Sequence, residues 1–223
     1  MASEPPTTSD APVERRPLTS RSSWWARAAA SALVRAGASP NGISTCGLLF
    51  GCLGGAAFAA TARIPGGEPW FFAAAAACIQ LRLLCNLLDG MVAIEGGRRS
   101  PVGELFNEAP DRTSDAATLV GAGYAAAASP VLGWAAACVA LWVAYVRALA
   151  KTAGAPNDFC GPMAKPHRMA LMTGTAIFLA VAPGAWRQSF PWMDAALAVV
   201  VVGGLVTSVR RLVRAARYLR GER

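Results

Sequence analysis

Residues Asn86–Asp111 read NLLDGMVAIEGGRRSPVGELFNEAPD, a run of acids, amides and glycines inside a chain that is otherwise apolar and rich in alanine. An ionisable group at membrane depth costs about 2.5–3.5 kcal/mol on insertion scales, so it rarely sits there without a task. Asn86, Asp89 and Ala93 fall on one side of a first helix, and Gly103, Asn107, Asp111 and Asp115 recur at every fourth residue of a second. Two helix faces that carry oxygen ligands and are joined by a short turn can meet around a hard cation.

Working outward, the surrounding composition supplies the membrane. Of 223 residues, 54% are hydrophobic and 15% charged, and the mean hydropathy is +0.38; this fits a polytopic membrane protein better than a soluble globule. Six spans of about 20 residues are expected, at about 41–62, 70–94, 102–127, 130–152, 167–184 and 190–214. The fold class is therefore all-α, a six-helix membrane bundle over 39–215. Residues 1–21 are polar and proline-bearing, which reads as a disordered tail, and 216–223 as a basic tail. Between them and the spans, 22–38 suggests an amphipathic helix lying at the membrane interface. Arg27, Ser31 and Arg35 form one stripe of it, Trp25, Ala29, Ala32 and Ala36 another; the other reading of this segment is the frayed start of the first span.

The formal charge of +8 says less than its placement. Arg63 and Arg187 fall on one side of the spans, and Arg15, Arg16, Arg21, Arg27, Arg35, Arg98, Arg99, Lys151, Lys165, Arg168 and the arginines from Arg210 onward on the other. The positive-inside rule makes the second side cytoplasmic, with both termini there, as in a bacterial-type inner membrane. Because the basic excess tracks membrane loops, a nucleic-acid partner is not expected. The six cysteines show no CxxC pairing and read as small hydrophobes. A single histidine, His167, excludes a histidine-based metal site.

The spacing resembles that of the CDP-alcohol phosphatidyltransferases, D-x2-D-G-x2-A-R-x8-G-x3-D-x3-D. The matching positions are Asn86, Asp89, Gly90, Ala93, Ile94, Gly103, Asn107 and Asp111; every gap agrees, and five of the eight identities do. Asn86 and Asn107 stand where the pattern has aspartates, and Ile94 where it has arginine. PNGIS, Pro40 to Ser44, resembles the family's PN-x-(I/L)-(T/S) opening of the first span and is also a helix cap.

The resemblance implies transfer of a phosphatidyl group from a CDP-linked lipid, CDP-diacylglycerol above all, to a small alcohol acceptor, with release of CMP. It also implies a homodimer and a two-metal site of Mg2+ or Mn2+, in which the first three acidic positions are ligands and the fourth is ligand and general base. Carried over, Asp89 is the surviving strong ligand, Asp111 the base and fourth ligand, and Asn86 and Asn107 ligands through amide oxygen at the loss of one charge each. Glu95, Glu104, Glu108 and Asp115 lie near enough in sequence to compensate.

Gly90 and Gly103, with Ala93, let a nucleotide approach the backbone, or else serve close helix packing. Arg98, Arg99 or Arg82 can replace the arginine missing at Ile94, though all three also read as inner-leaflet anchors. GPMAKPHRM (Gly161 to Met169), which follows a span ending in Arg147, resembles the family's inner loop. Lys165 and Arg168 there suit a phosphate of donor or acceptor, and equally suit positive-inside anchoring. Two other classes fit the composition: a catalytically silent relative acting as a binding or partner subunit, and a small membrane carrier. A carrier fits the fixed gaps poorly.

Overall fold

The computed structural model describes residues 23–97 and 103–222. The expected tail at 1–21, Arg98 and Arg99, and the side chain of Glu104 lie outside the described residues. Among those described the chain is all helical: α1 (Trp24–Arg35), α2 (Pro40–Thr61), α3 (Glu68–Glu95), α4 (Gly103–Gly123), α5 (Pro130–Thr152), α6 (Lys165–Val181), α7 (Gly184–Ser189) and α8 (Trp192–Leu219).

The boundaries follow local chemistry. Ser39 caps α2, its Oγ accepting from the Gly42 N–H at 3.1 Å, and Pro40 occupies the first turn, where its missing N–H costs nothing. Proline likewise opens α3, α5 and α6. At the far end of α3, Gly97 takes φ +62° just past the last turn, the left-handed conformation that ends a helix and is open to glycine without a Cβ penalty.

α2 packs along both α3 and α4, α5 along α4 and α8, α6 on α3, and α1 on α3. The α2–α4 seam is made by small residues. A Cβ added at Gly51 would overlap Ser114, one at Gly55 would overlap the Ala117 carbonyl, and one at Gly121 would overlap the backbone of Gly55. With lipid outside and no water to expel, such close backbone approach is how membrane helices gain contact. Phe58, Phe72, Ile79, Leu119, Met169 and Leu197 belong to the main core.

Four helices, α2, α3, α5 and α8, are long and apolar enough to cross a membrane. The expected spans at 102–127 and 167–184 exist as helices but do not share that character. α4 carries Glu104, Glu108, Asp111, Arg112 and Asp115 in its first half. α6 has 17 residues, about 25 Å at about 1.5 Å per residue, against about 30 Å of hydrocarbon. α8 continues through the boundary expected at 215 to Leu219, because its arginine-rich end is a good helix former and places Arg217 in the last turn.

α1 is present, and of the stripe Trp25, Ala29, Ala32 and Ala36 only Ala29 packs toward α3, the other three being exposed. Ala26 and Ala30 are the buried residues, set against Leu87, Leu88, Met91 and Val92 of α3, while Trp24 and Trp25 are exposed. The smallest side chains allow the closest approach to α3, so they rather than the tryptophans form the contact.

Gly121→Leu should therefore lower the stability of the detergent-solubilised protein by about 1–3 kcal/mol or more through overpacking, read as a fall in melting temperature. Gly174→Ala, where a Cβ meets nothing within 4 Å, should leave it unchanged.

Candidate active site

α3 and α4 bring one face each to a common polar cluster. Arg82 is fully buried, one turn before Asn86 on the same stripe of α3. Its Nη2 donates to Asp111 Oδ1 at 2.8 Å, to the Asp111 carbonyl at 3.2 Å and to Asp115 Oδ1; its Nε donates to Ser114 Oγ at 2.5 Å, and its Nη1 faces the Met169 sulfur at 3.2 Å. One planar fork thus ties α3 to α4 and to α6.

Asp111 is the most heavily engaged carboxylate. Besides Arg82, its Oδ1 accepts from Asn86 Nδ2 at 2.7 Å and from Lys165 Nζ of α6; its Oδ2 lies 3.5 Å from Arg112. Asp115 is clamped between Arg82 and Arg168, with 2% of its surface exposed. Asp89 is equally buried at 2% but differs in its partners: Oδ2 accepts from the Ser44 hydroxyl of α2 at 2.7 Å, and Oδ1 from the Gly90 N–H at 2.5 Å. Among the described residues, neither contact carries a positive charge to neutralise it.

Beside Asp111 opens a cavity of about 170 Å³. Its walls carry Arg112, Arg147, Lys165, Arg168 and Arg211, opposed by Glu108 and Asp111. Arg147 donates to Glu108 Oε1 at 2.7 Å and stacks over Phe159, 5.2 Å from the ring centroid; Arg112 holds the other Glu108 oxygen. Arg211, from α8, donates to the carbonyls of Cys160 at 2.9 Å and Val143 at 3.1 Å. Those partners are neutral, so its charge remains available to the cavity. Arg168 adds a buried Nε with no hydrogen-bond partner among the described residues.

The sequence-derived candidates divide clearly. Asn86, Asp89, Gly90, Asp111, Asp115, Lys165 and Arg168 converge on the cluster, and Arg147 and Glu108 on the adjoining cavity. Asn107 is exposed, Gly103 opens α4, and Ala93 is half-buried. Of the proposed compensating acids, Glu95 is exposed and accepts from Ser31 of α1 at 3.0 Å. Asp115 and Glu108 are occupied by arginines. Among the described residues no group of three or more histidine, cysteine or acidic side chains is placed to hold a metal; Glu108, Asp111 and Asp115 each face a cation of the chain. Arg82 is an internal ion-pair partner, not an inner-leaflet anchor. His167 lies exposed in the first turn of α6. Ser44, Arg112 and Arg211 were not anticipated as site residues. Arg112 adjoins Asp111 in sequence, whereas Arg211 reaches the cavity only through the α5–α8 packing.

The fold and site describe a helical membrane protein with an acidic pair and a basic cavity at the junction of α3, α4 and α6. The family model for CDP-alcohol phosphatidyltransferase matches residues 38–205, and the chain belongs to that family of membrane phosphotransferases. No sequence match was found among curated proteins. The fold is similar to crystal structures of Mycobacterium tuberculosis phosphatidylinositol phosphate synthase. The complex with manganese and citrate gives a TM-score of 0.69 at 21% identity, covering 86% of this chain and 88% of that one. The form with CDP-DAG bound gives 0.66 at 20%, covering 85% and 92%. The apo form gives 0.61 at 21%, covering 83% and 93%.

Arg82→Met should destabilise the protein by about 3–5 kcal/mol, the range for a buried ion pair stripped of one partner. Adding Asp115→Asn should recover part of that loss. A strictly additive double variant in thermal or denaturant unfolding would show that the two do not interact in solution.

Proposed function

We propose that the protein transfers a phosphatidyl group from CDP-diacylglycerol to an anionic acceptor alcohol, releasing CMP. The observation that carries this reading is the contact of Asp111 with both sides of the site. It shares hydrogen bonds with Asn86 of α3 and lines the basic cavity with its α6 and α8 cations. The donor diphosphate belongs on the Asp89–Gly90 side, where buried Gly90 has no side chain to hold phosphate oxygens away. The acceptor belongs in the cavity. Five cations facing two acids, both already ion-paired, leave a positive surplus that suits an acceptor bearing phosphate or another anion. That one solved protein of this fold is described with manganese in one crystal structure and with CDP-DAG in another supports the same assignment.

Arg211 and Arg147 orient the acceptor so that its hydroxyl faces the lipid-side phosphorus. As the new P–O bond forms, the hydroxyl proton passes to Asp111 Oδ2, the oxygen not occupied by Arg82, Asn86 and Lys165. The bond between the two phosphorus centres' bridging oxygen and the lipid-side phosphorus breaks, and CMP leaves with the electron pair. Lys165 and Arg82 keep Asp111 ionised until the attacking oxygen turns acidic. Asp89, which has no cation in direct contact, is the carboxylate that would hold a hard divalent cation, magnesium or manganese. When bound, such an ion neutralises the diphosphate and the departing CMP.

In this reading α4 and α6 complete a six-span bundle within a homodimer in the inner membrane. Their polar ends and both termini lie on the cytoplasmic side.

Purified protein given labelled CDP-diacylglycerol and a panel of acceptors should release CMP only with Mg2+ or Mn2+, and faster with a phosphorylated acceptor than with its dephosphorylated counterpart. Asp89→Ala and Asp111→Ala should each abolish release; unchanged turnover in either refutes the assignment. Arg211→Gln should raise the acceptor KM at least tenfold while leaving the donor KM within about twofold, consistent with about 1.4 kcal/mol per decade. Equal effects on both would remove Arg211 from the acceptor side.

A further inference from the structure

The geometry points to a centre that takes one divalent cation, on Asp89, because the chain's own donors Asn86, Arg82 and Lys165 fill the place beside Asp111 that a second would need. This rests on the metal-dependent transferase reading above and adds the number of ions and the groups that set it.

Three observations carry it. First, Asp111 Oδ1 accepts from Arg82 at 2.8 Å, from Asn86 at 2.7 Å and from Lys165. A carboxylate oxygen offers two lone-pair directions, so three donors leave none of those on Oδ1 aimed at a metal, and Oδ2 has Arg112 at 3.5 Å. Second, Asn86 presents its NH2 to Asp111, while its amide oxygen lies on the Gly47 side. Where two acidic side chains would repel and need a cation between them, an amide and a carboxylate bond directly. Third, Asp111 and Asp115 have cations in direct contact, whereas Asp89 contacts only a hydroxyl and an N–H, and Lys165, which acts on it through space, is hydrogen-bonded to Asp111. An ionised carboxylate with 2% of its surface exposed is costly without a counter-charge, and a hydroxyl and one N–H do not supply it. The remaining demand for positive charge is therefore localised on Asp89.

The substitutions of the Asp-rich pattern then read as a matched set. Asparagine at 86 and 107 removes two negative charges, and lysine and arginine supply fixed positive charge that needs no metal from solution. A fixed ammonium also differs from a bound ion in that it does not depart with the leaving CMP.

The test is a Mn2+ titration of the full-length protein in detergent, followed by electron paramagnetic resonance with bound metal counted independently by mass spectrometry. The wild type should bind one Mn2+ per chain. Asp89→Asn should lose it. Asn86→Asp combined with Lys165→Met, which restores an acid and removes the fixed ammonium, should bind two, with the spin-coupled spectrum of a close pair. Two ions on the wild type, retention of the ion by Asp89→Asn, or a folded double variant that stays at one ion would each overturn the inference. If the double variant fails to fold, the wild-type count and the Asp89→Asn result decide it. Two bound ions with CMP release intact would remove this inference and leave the transferase reading. One bound ion with no CMP release under any acceptor would remove the transferase reading and leave the ion count.

Discussion

A guanidinium sealed from water is the constraint on which the rest depends. Arg82 reaches from the middle of α3 to Asp111, Ser114 and Asp115 on α4 and to Met169 on α6. A charge of this kind is tolerated in a bundle only if its partners are held in place, since losing one leaves the other buried and uncompensated. Ser114, which accepts from Arg82, also lies where a Cβ on Gly51 would have to pass. The glycine seam between α2 and α4 and the ion-pair cluster are thus two sides of one arrangement. Small residues let α4 come close enough for Arg82 to reach it, and Arg82 fixes the rotation at which it stays.

That rotation decides what the site can do. Asp111 is turned toward α3 and the basic cavity at once, whereas Asn107, one turn earlier, remains exposed. The cluster therefore has an acidic side, where Asp89 has no cation in direct contact, and a basic side, where Arg147, Lys165, Arg168 and Arg211 gather. A reaction joining a nucleotide-linked diphosphate to an anionic alcohol needs both signs close together, kept from neutralising each other. Here the separation is achieved by pairing nearly every acid with its own cation and leaving Asp89 and Arg211 as the two ends without charged partners in direct hydrogen bond.

The sequence made the two motif helices legible, because fixed gaps at helical spacing translate directly into shared faces. It also marked Lys165 and Arg168, though as anchors or phosphate groups equally. What escaped it were distinctions that only packing makes. Arg82 read as a replacement for the arginine missing at Ile94 or as an inner-leaflet anchor, although it stands one turn from Asn86, on the stripe that faces α4. Glu95 looked near enough to help but turns to Ser31 of α1. Asp115 looked like a spare acid, and its spacing from Asp111 is right, yet two arginines from α3 and α6 hold it. Arg211 is far from the motif in sequence and became part of the site only because α8 packs on α5. α4 lacks the composition of the other long helices for a related reason: its first half carries the site.

Anomalous diffraction from crystals grown with Mn2+ tests the account most directly. The account predicts one peak beside the Asp89 carboxylate, with Lys165 Nζ and Asn86 Nδ2 still on Asp111. Lys165 swung away and a second peak between Asn86 and Asp111, or Asp89 with no peak at all, would contradict it.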